Sequence, residues 1–210
     1  MRSGENAQVT GVDRMGHAAA PRMCRDPRAI LVIDFPDFSR LADEQIPRFH
    51  EYVMRPVAEV LDEHQEGRLY DNSWGDAIIA IFDRVSLAAH FSLDLQRRMA
   101  IVPFAELGMP STLRPRIAGD YGHTWQGFDF VKKEITYYGL HVTRAARLEP
   151  VTPPGAIYVT QAFAVAASHE DPTLICDYVG DLVTPKNFGV LSAYRLMRTE
   201  TTPPCTASHS

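Results

Sequence analysis

The chain has 210 residues, a formal net charge of -5, 45% hydrophobic residues and 10% aromatics. That length fits one domain with tails, and the apolar content suits a packed core and excludes a wholly disordered protein. The mildly acidic balance argues against sequence-independent nucleic-acid binding, which needs a basic surface.

Residues 1–28 mix Gly, Ala, Ser, Pro and charges without a hydrophobic period and read as a flexible N-terminal arm; residues 199–210 read as a flexible C-terminal tail. The core is expected at 29–198. It opens with a short apolar run rich in β-branched residues at 29–33, a central strand. Phe49, Val53, Val57, Val60 and Leu61 then make one helical stripe, with Pro47 and Pro56 limiting or bending the helix. Two strand-like segments, 68–73 and 77–82, flank a tight turn at Gly75. A second amphipathic helix carries Leu87, Ala88, Phe91, Leu95 and Met99 on one face, and a proline-bearing loop from Pro103 to Pro115 ends it. Strands follow at 116–119 and near 135–138, then a helix at 140–149, and shorter pieces at 156–160, 161–167, 174–178 and 190–196. No repeat is visible. The order is neither strict βαβα alternation nor all-β, and predicts an α+β domain: an antiparallel-rich sheet with helices on one face.

The longest apolar runs, 77–82 and 162–167, fall far short of the roughly 20 residues that span a bilayer, so no membrane insertion is expected. The first 28 residues hold no apolar signal segment. Cys24, Cys176 and Cys205 are odd in number and widely spaced, which fits a reducing compartment and neither a disulfide framework nor a zinc site. A cytoplasmic location is therefore expected. The phosphate loop, the Gly-x-Gly-x-x-Gly fingerprint, His-Glu-x-x-His and Gly-x-Ser-x-Gly are all absent, and the eight histidines show no metal-ligand spacing.

Two aspartates stand out. Asp34 ends the first strand and Asp76 sits in the turn Trp74-Gly75-Asp76-Ala77, just before a strongly apolar strand. A carboxylate at the end of a buried strand is costly unless something pairs with it. Two on neighbouring strands can hold one or two Mg²⁺ ions; equally, Asp34 fits a cap of the following helix and Asp76 a hairpin-turn residue.

Five segments in order resemble the catalytic domain of class III nucleotidyl cyclases: Asp34 with Phe38 and Ser39; Gly75-Asp76 followed by Ile78 to Phe82; Arg116 to Gly119 through Gly122; Gly139 through Val142, Thr143, Arg147, Leu148 and Glu149; and Pro153-Pro154-Gly155 through Val159, closed by Ala193 to Leu196. The resemblance implies a ferredoxin-like α+β fold and a head-to-tail homodimer with active sites at the shared interface. It implies that Asp34 and Asp76 hold two Mg²⁺ or Mn²⁺ ions, and that Arg147 of the other subunit stabilises charge on the α-phosphate. The ribose 3′-oxygen then attacks the α-phosphorus, and pyrophosphate leaves. Thr143 replaces the family's ribose-orienting Asn, and Lys186 matches a lysine that grips the triphosphate.

At the positions that read the base in purine cyclases stand Asn72 and Thr136, both uncharged, with Trp74, Tyr137 and Tyr138 as bulky neighbours. Loss of the charged pair weakens purine recognition, since a hydrogen-bonding site discriminates steeply when partners go missing. The stretch from Tyr137 to Pro150 is similar to the pyrimidine cyclases of Pycsar anti-phage systems. That likeness implies conversion of UTP or CTP to a 3′,5′-cyclic monophosphate read by a separate effector of transmembrane or TIR type. An atypical adenylate or guanylate cyclase and a catalytically silent nucleotide-binding module remain the alternatives.

Overall fold

The structure is a computed structural model and describes residues 22–199. The greater part of both predicted tails, with Cys205, lies outside the described residues. An eight-stranded sheet is built from β1 (Cys24–Asp34), β2 (Arg68–Trp74), β3 (Ala77–Phe82), β4 (Arg116–Asp129), β5 (Glu134–Tyr138), β6 (Ile157–Thr160), β7 (Leu174–Thr184) and β8 (Gly189–Arg198). Its strand order is β2-β3-β1-β4-β6-β8-β7, with β5 paired to β4. Every pairing is antiparallel except β4 with β6. The antiparallel-rich α+β architecture is the one the element order predicts.

Strand β1 begins at Cys24, five residues inside the segment read as an arm, because residues 24–28 extend the ladder with β4 from Cys24↔Gln126 to Arg28↔Gly122. Backbone pairing carries this segment, which lacks an apolar pattern. Strand β4 likewise runs ten residues beyond Gly119, the last residue of the predicted strand, and forms a hairpin arm with β5.

The first helix is α1 (Ile46–Phe49), a π-helical turn (His50–Met54) and α2 (Arg55–Glu63). Pro56 has no N–H for the carbonyl four residues back, and the wider turn directly precedes it. Three helices follow: α3 (Val85–Ala100), α4 (Leu140–Leu148) and α5 (Gln161–Glu170).

Helices cover both faces of the sheet, which corrects the expectation of one. The larger core joins Ala29, Leu31 and Ile33 of β1 to Val57 and Val60 of α2, Phe91 and Leu95 of α3, and Phe163 of α5. On the opposite face Ile30 and Ile81 pack with Tyr137 and with Ala145 of α4. Strand alternation then assigns Arg28, Ile30, Val32 and Asp34 to the α4 side. The continuous apolar run of β1 follows from this double coverage: a strand buried on both faces has no polar side to display.

Candidate active site

Alternation along β1 brings Asp34 to its C-terminal end, in register with Arg116 at the start of β4. The chain then turns through Pro36 and Asp37, the latter at φ 69, with the Phe38 N–H donating to the Phe35 carbonyl over 3.2 Å. Thr112, in the loop between α3 and β4, donates its hydroxyl to Asp37 over 2.7 Å and pins this turn. The β2–β3 hairpin delivers Asp76 to the same place through Gly75, whose φ of 63 is a left-handed conformation that glycine adopts without strain. A side chain at Gly75 would also approach the Phe38 ring.

The two carboxylates the sequence singles out therefore meet. The Asp76 carboxyl is pushed up to about 6 by burial, by the Asp34 charge and by hydrogen bonding with Asp34, while the Asp76 and Phe35 backbone N–H groups oppose the rise. Asp76 is the hairpin-turn residue the sequence also suggested, but Asp34 caps no helix: the position before the next helical turn belongs to Asp37.

Two residues outside the predicted site complete the cluster. Arg116 bonds the Asp34 carboxylate, and its Nε lies 2.7 Å from Oε1 of Glu149. That second contact is off line for a hydrogen bond, so Arg116 Nε and Glu149 Oε1 are both buried without an aligned partner. Glu149 is 8% exposed. Burial and the Asp34 charge push its carboxyl up to about 7, and Arg116 opposes them. Glu149 follows α4 directly, so this contact ties the end of that helix to the Asp34 strand.

The donor set fits a hard divalent cation. It consists of oxygens only, and the Asp76 carboxyl is raised first by burial and then by the Asp34 charge, both of which a bound cation offsets. Among the described residues no group of three ligating side chains forms a closed cage. Mg²⁺ is commonly held by one or two carboxylates with water and substrate phosphate oxygens in the remaining positions, and Asp34 and Asp76 are the carboxylates that would serve.

The other predicted residues fall in distinct places. Phe38 packs on Phe49, ring centroids 4.7 Å apart, so its ring serves the core beneath the turn. Thr143 and Arg147 project from α4 four residues apart. Thr143 donates its hydroxyl to the Gly139 carbonyl over 3.3 Å, leaving it to act as an acceptor. Arg147 is half-buried and has no ion pair among the described residues, whereas Arg144 is tied to Asp120 at 3.2 Å.

Asn72, half-buried on β2, shares its strand face with Tyr70, whose ring lies 5.9 Å from that of Tyr137. Burial pushes the Tyr137 phenol up. Thr136 is buried, and alternation along β5 turns it away from the side that Tyr137 takes. Trp74 is 83% exposed beside the Gly75 turn and Tyr138 is 40% exposed, so neither ring is core packing. Lys186 is exposed in the β7–β8 turn at φ 59. Strands β4 and β6 separate that hairpin from β1, so one chain alone does not bring Lys186 to the carboxylates.

No helix among the described residues is long and apolar enough to cross a membrane. Cys24 and Cys176 are free thiols.

No known family profile matches the sequence, and no curated protein matches it. Solved structures do. The adenylyl cyclase CyaB from P. aeruginosa is 15% identical, with a TM-score of 0.74 over 86% of this chain and 98% of that chain. The guanylyl cyclase Cya2 is 21% identical, with a TM-score of 0.69 over 86% of this chain and 96% of that chain. The guanylate cyclase domain of RhGC from Catenaria anguillulae, solved in complex with GTP, is 15% identical, with a TM-score of 0.69 over 84% of this chain and 100% of that chain. The protein has the fold of class III nucleotidyl cyclase catalytic domains.

Proposed function

We propose that the protein is a nucleotidyl cyclase that converts UTP or CTP to the 3′,5′-cyclic monophosphate and pyrophosphate, working as a head-to-tail homodimer. The observation that carries the reading is the meeting of Asp34 and Asp76 at one end of the sheet, on a fold whose solved relatives are cyclases.

Asp34 and Asp76 would hold two divalent ions. When bound, such ions supply a lowered pKa for the attacking 3′-hydroxyl and neutralise charge on the leaving pyrophosphate. The remaining work falls to side chains. Arg147 of one protomer faces the α-phosphate bound at its partner's carboxylates, and its planar fork of donors bonds the charge developing there. Thr143 accepts a hydrogen bond from a ribose hydroxyl. Lys186 supplies a point charge to the triphosphate.

Asn72 both donates and accepts, so it suits a base edge that carries both kinds of group, while Thr136, turned from the Tyr137 side, leaves that edge without a charged partner. With no charge at either position, a purine loses its strongest contacts, and the Tyr70–Tyr137 pair beside Asn72 narrows the space toward a single ring. The likeness to Pycsar enzymes supports a role in anti-phage defence in the cytoplasm, with a separate effector reading the product.

Purified protein incubated with each of the four ribonucleoside triphosphates and Mn²⁺ is expected to yield cyclic UMP or cyclic CMP by mass spectrometry. A product from ATP or GTP alone overturns the pyrimidine assignment in favour of an atypical purine cyclase, the class to which the solved relatives belong. No product from any of the four favours a silent nucleotide-binding module. The hydroxyl of Thr143, spent on the Gly139 carbonyl, is the observation on that reading's side.

A further inference from the structure

Asp120 lies in the middle of β4 and is 0% exposed. An ionised carboxylate in that position is tolerated only when fully partnered. Three partners surround it. Thr160, at the end of β6, donates its hydroxyl to Oδ1. His141 Nδ1 lies 2.9 Å from Oδ2, and Arg144 Nε lies 3.2 Å from the same oxygen, an ion pair off line for a hydrogen bond. His141 and Arg144 stand three residues apart on α4, so both reach back from one helix face to one buried anion.

Two further features belong to the same arrangement. A methyl at Gly122 would lie 2.2 Å from the His141 ring, so β4 carries glycine where that ring must cross it. Helix α4 also starts at Gly139, φ 128, with no side-chain cap on its first turn. A nine-residue helix without a cap has little local means of fixing its own position, and tertiary contacts must supply it.

We infer that Asp120, His141 and Arg144 form a clamp that sets the rotation of α4 and thereby aims Thr143 and Arg147, so that His141 is a positioning residue for the proposed cyclase. The inference rests on the proposed function for its catalytic consequence, while the clamp itself is a property of the fold. At 100° per residue, His141, Arg144, Ala145 and Leu148 centre on one face, and Thr143 and Arg147 centre about 130° around the axis from it. The clamp thus holds the helix by the side facing the sheet and leaves the functional pair pointing elsewhere. A guanidinium about 7 Å from the helix axis moves about 1 Å when the helix turns by about 10°, and misplacement of that size costs on the order of 100-fold in rate.

The test compares His141→Ala with His141→Asn in the full-length protein. Asn carries its amide nitrogen near the place of imidazole Nδ1 and keeps the bond to Asp120; Arg144 remains in both variants to hold the fold. With the nucleotide that the wild type turns over best, His141→Ala is expected to lower kcat about 30- to 100-fold with KM within about threefold. His141→Asn is expected to recover kcat to within about fivefold of wild type. A wild-type kcat in His141→Ala, or equal losses in both variants, overturns the inference.

Amide hydrogen exchange gives a readout that does not depend on activity. His141→Ala is expected to speed exchange over 143–148 about tenfold or more while β1 and β3 stay protected, and His141→Asn is expected not to. Unchanged exchange in His141→Ala overturns the clamp even if the wild type is an active cyclase. A wild type inert toward every nucleotide, with the exchange result as expected, overturns the proposed function and leaves the clamp standing.

Discussion

Asp76→Ala is expected to abolish nucleotide turnover, by about 1,000-fold or more, while the chain stays folded. The size follows from the proposed role of the side chain: with one of two carboxylates gone, the remaining oxygen donors would no longer hold divalent ions, which supply several kcal/mol of transition-state stabilisation. Folding is spared because Asp76 occupies a surface hairpin and faces another acid across the site. Turnover assays and a thermal melt of the same preparation check both halves. Full-rate turnover in a folded Asp76→Ala protein sinks the metal assignment.

Burial of the Asp76 carboxyl, with the Asp34 charge beside it, makes removal of its charge favourable to the fold. The Asp76 carboxyl titrates at about 6 in the folded chain against an ordinary 3.8, so between those values the folded state binds a proton that the unfolded state has released. Stability without metal therefore falls as pH rises from about 4 to about 6. Glu149, raised from 4.5 to about 7, extends the decline toward neutrality. Asp76→Asn is neutral at every pH in this range and is expected to raise the melting temperature at pH 7.5 by about 2–4 °C and to flatten its fall between pH 4 and 6. Mn²⁺ at saturating concentration is expected to stabilise the wild type and leave Asp76→Asn nearly unmoved. A variant that melts below wild type at pH 7.5 contradicts this picture of two acids held together against their charge. Such sites, where binding chemistry is retained at a cost to stability, are common in proteins under selection for function.

How much of this was legible before the structure depends on the range of the interactions. Strands β2 and β3, α3 and the start of α4 follow from local periodicity, and Asp34 and Asp76 stood out because a charge beside a buried strand needs a reason. Strand β1 was cut short and β4 lost ten residues because 24–28 and 120–129 mix polar, aromatic and glycine residues, and their order comes from pairing with each other. The second covered face was missed because Ile30 and Val32 alternate with Leu31 and Ile33, and an all-apolar strand does not say which helix lies on which side. Arg116 meets Asp34 across 82 residues, and no spacing rule reaches that far. Asp120 was within reach: it follows Ile117, Ala118 and Gly119 in a strand, and the argument applied to Asp34 applies to it with equal force. Three histidines pair with carboxylates distant in sequence, His64 with Asp94, His90 with Asp171 and His141 with Asp120.

Arg147→Ala is expected to lower kcat by about 100- to 1,000-fold with little change in melting temperature. Arg144→Ala is expected to destabilise the fold by about 3 kcal/mol, because it strips a cation from the fully buried Asp120, and to lower kcat only through the loosened hold on α4. The melting temperature thus separates two arginines three residues apart on one helix, one that meets substrate and one that acts through the position of the helix. Arg147→Lys retains the charge without the fork, so only partial recovery is expected. The proposed sharing of each site between two chains adds a stronger test. In a head-to-tail dimer, Asp76→Ala chains still offer Arg147 and Arg147→Ala chains still offer both carboxylates, so a mixed dimer holds one complete site and one doubly broken one. Mixing the two inactive proteins in equal amounts under exchanging conditions puts half of the dimers in mixed form, and activity is expected to return to about one quarter of wild type. If the mixture stays as inactive as its components while subunit exchange is demonstrated by light scattering or a fluorescent label, the guanidinium and the carboxylates act within one chain and the interface site is refuted.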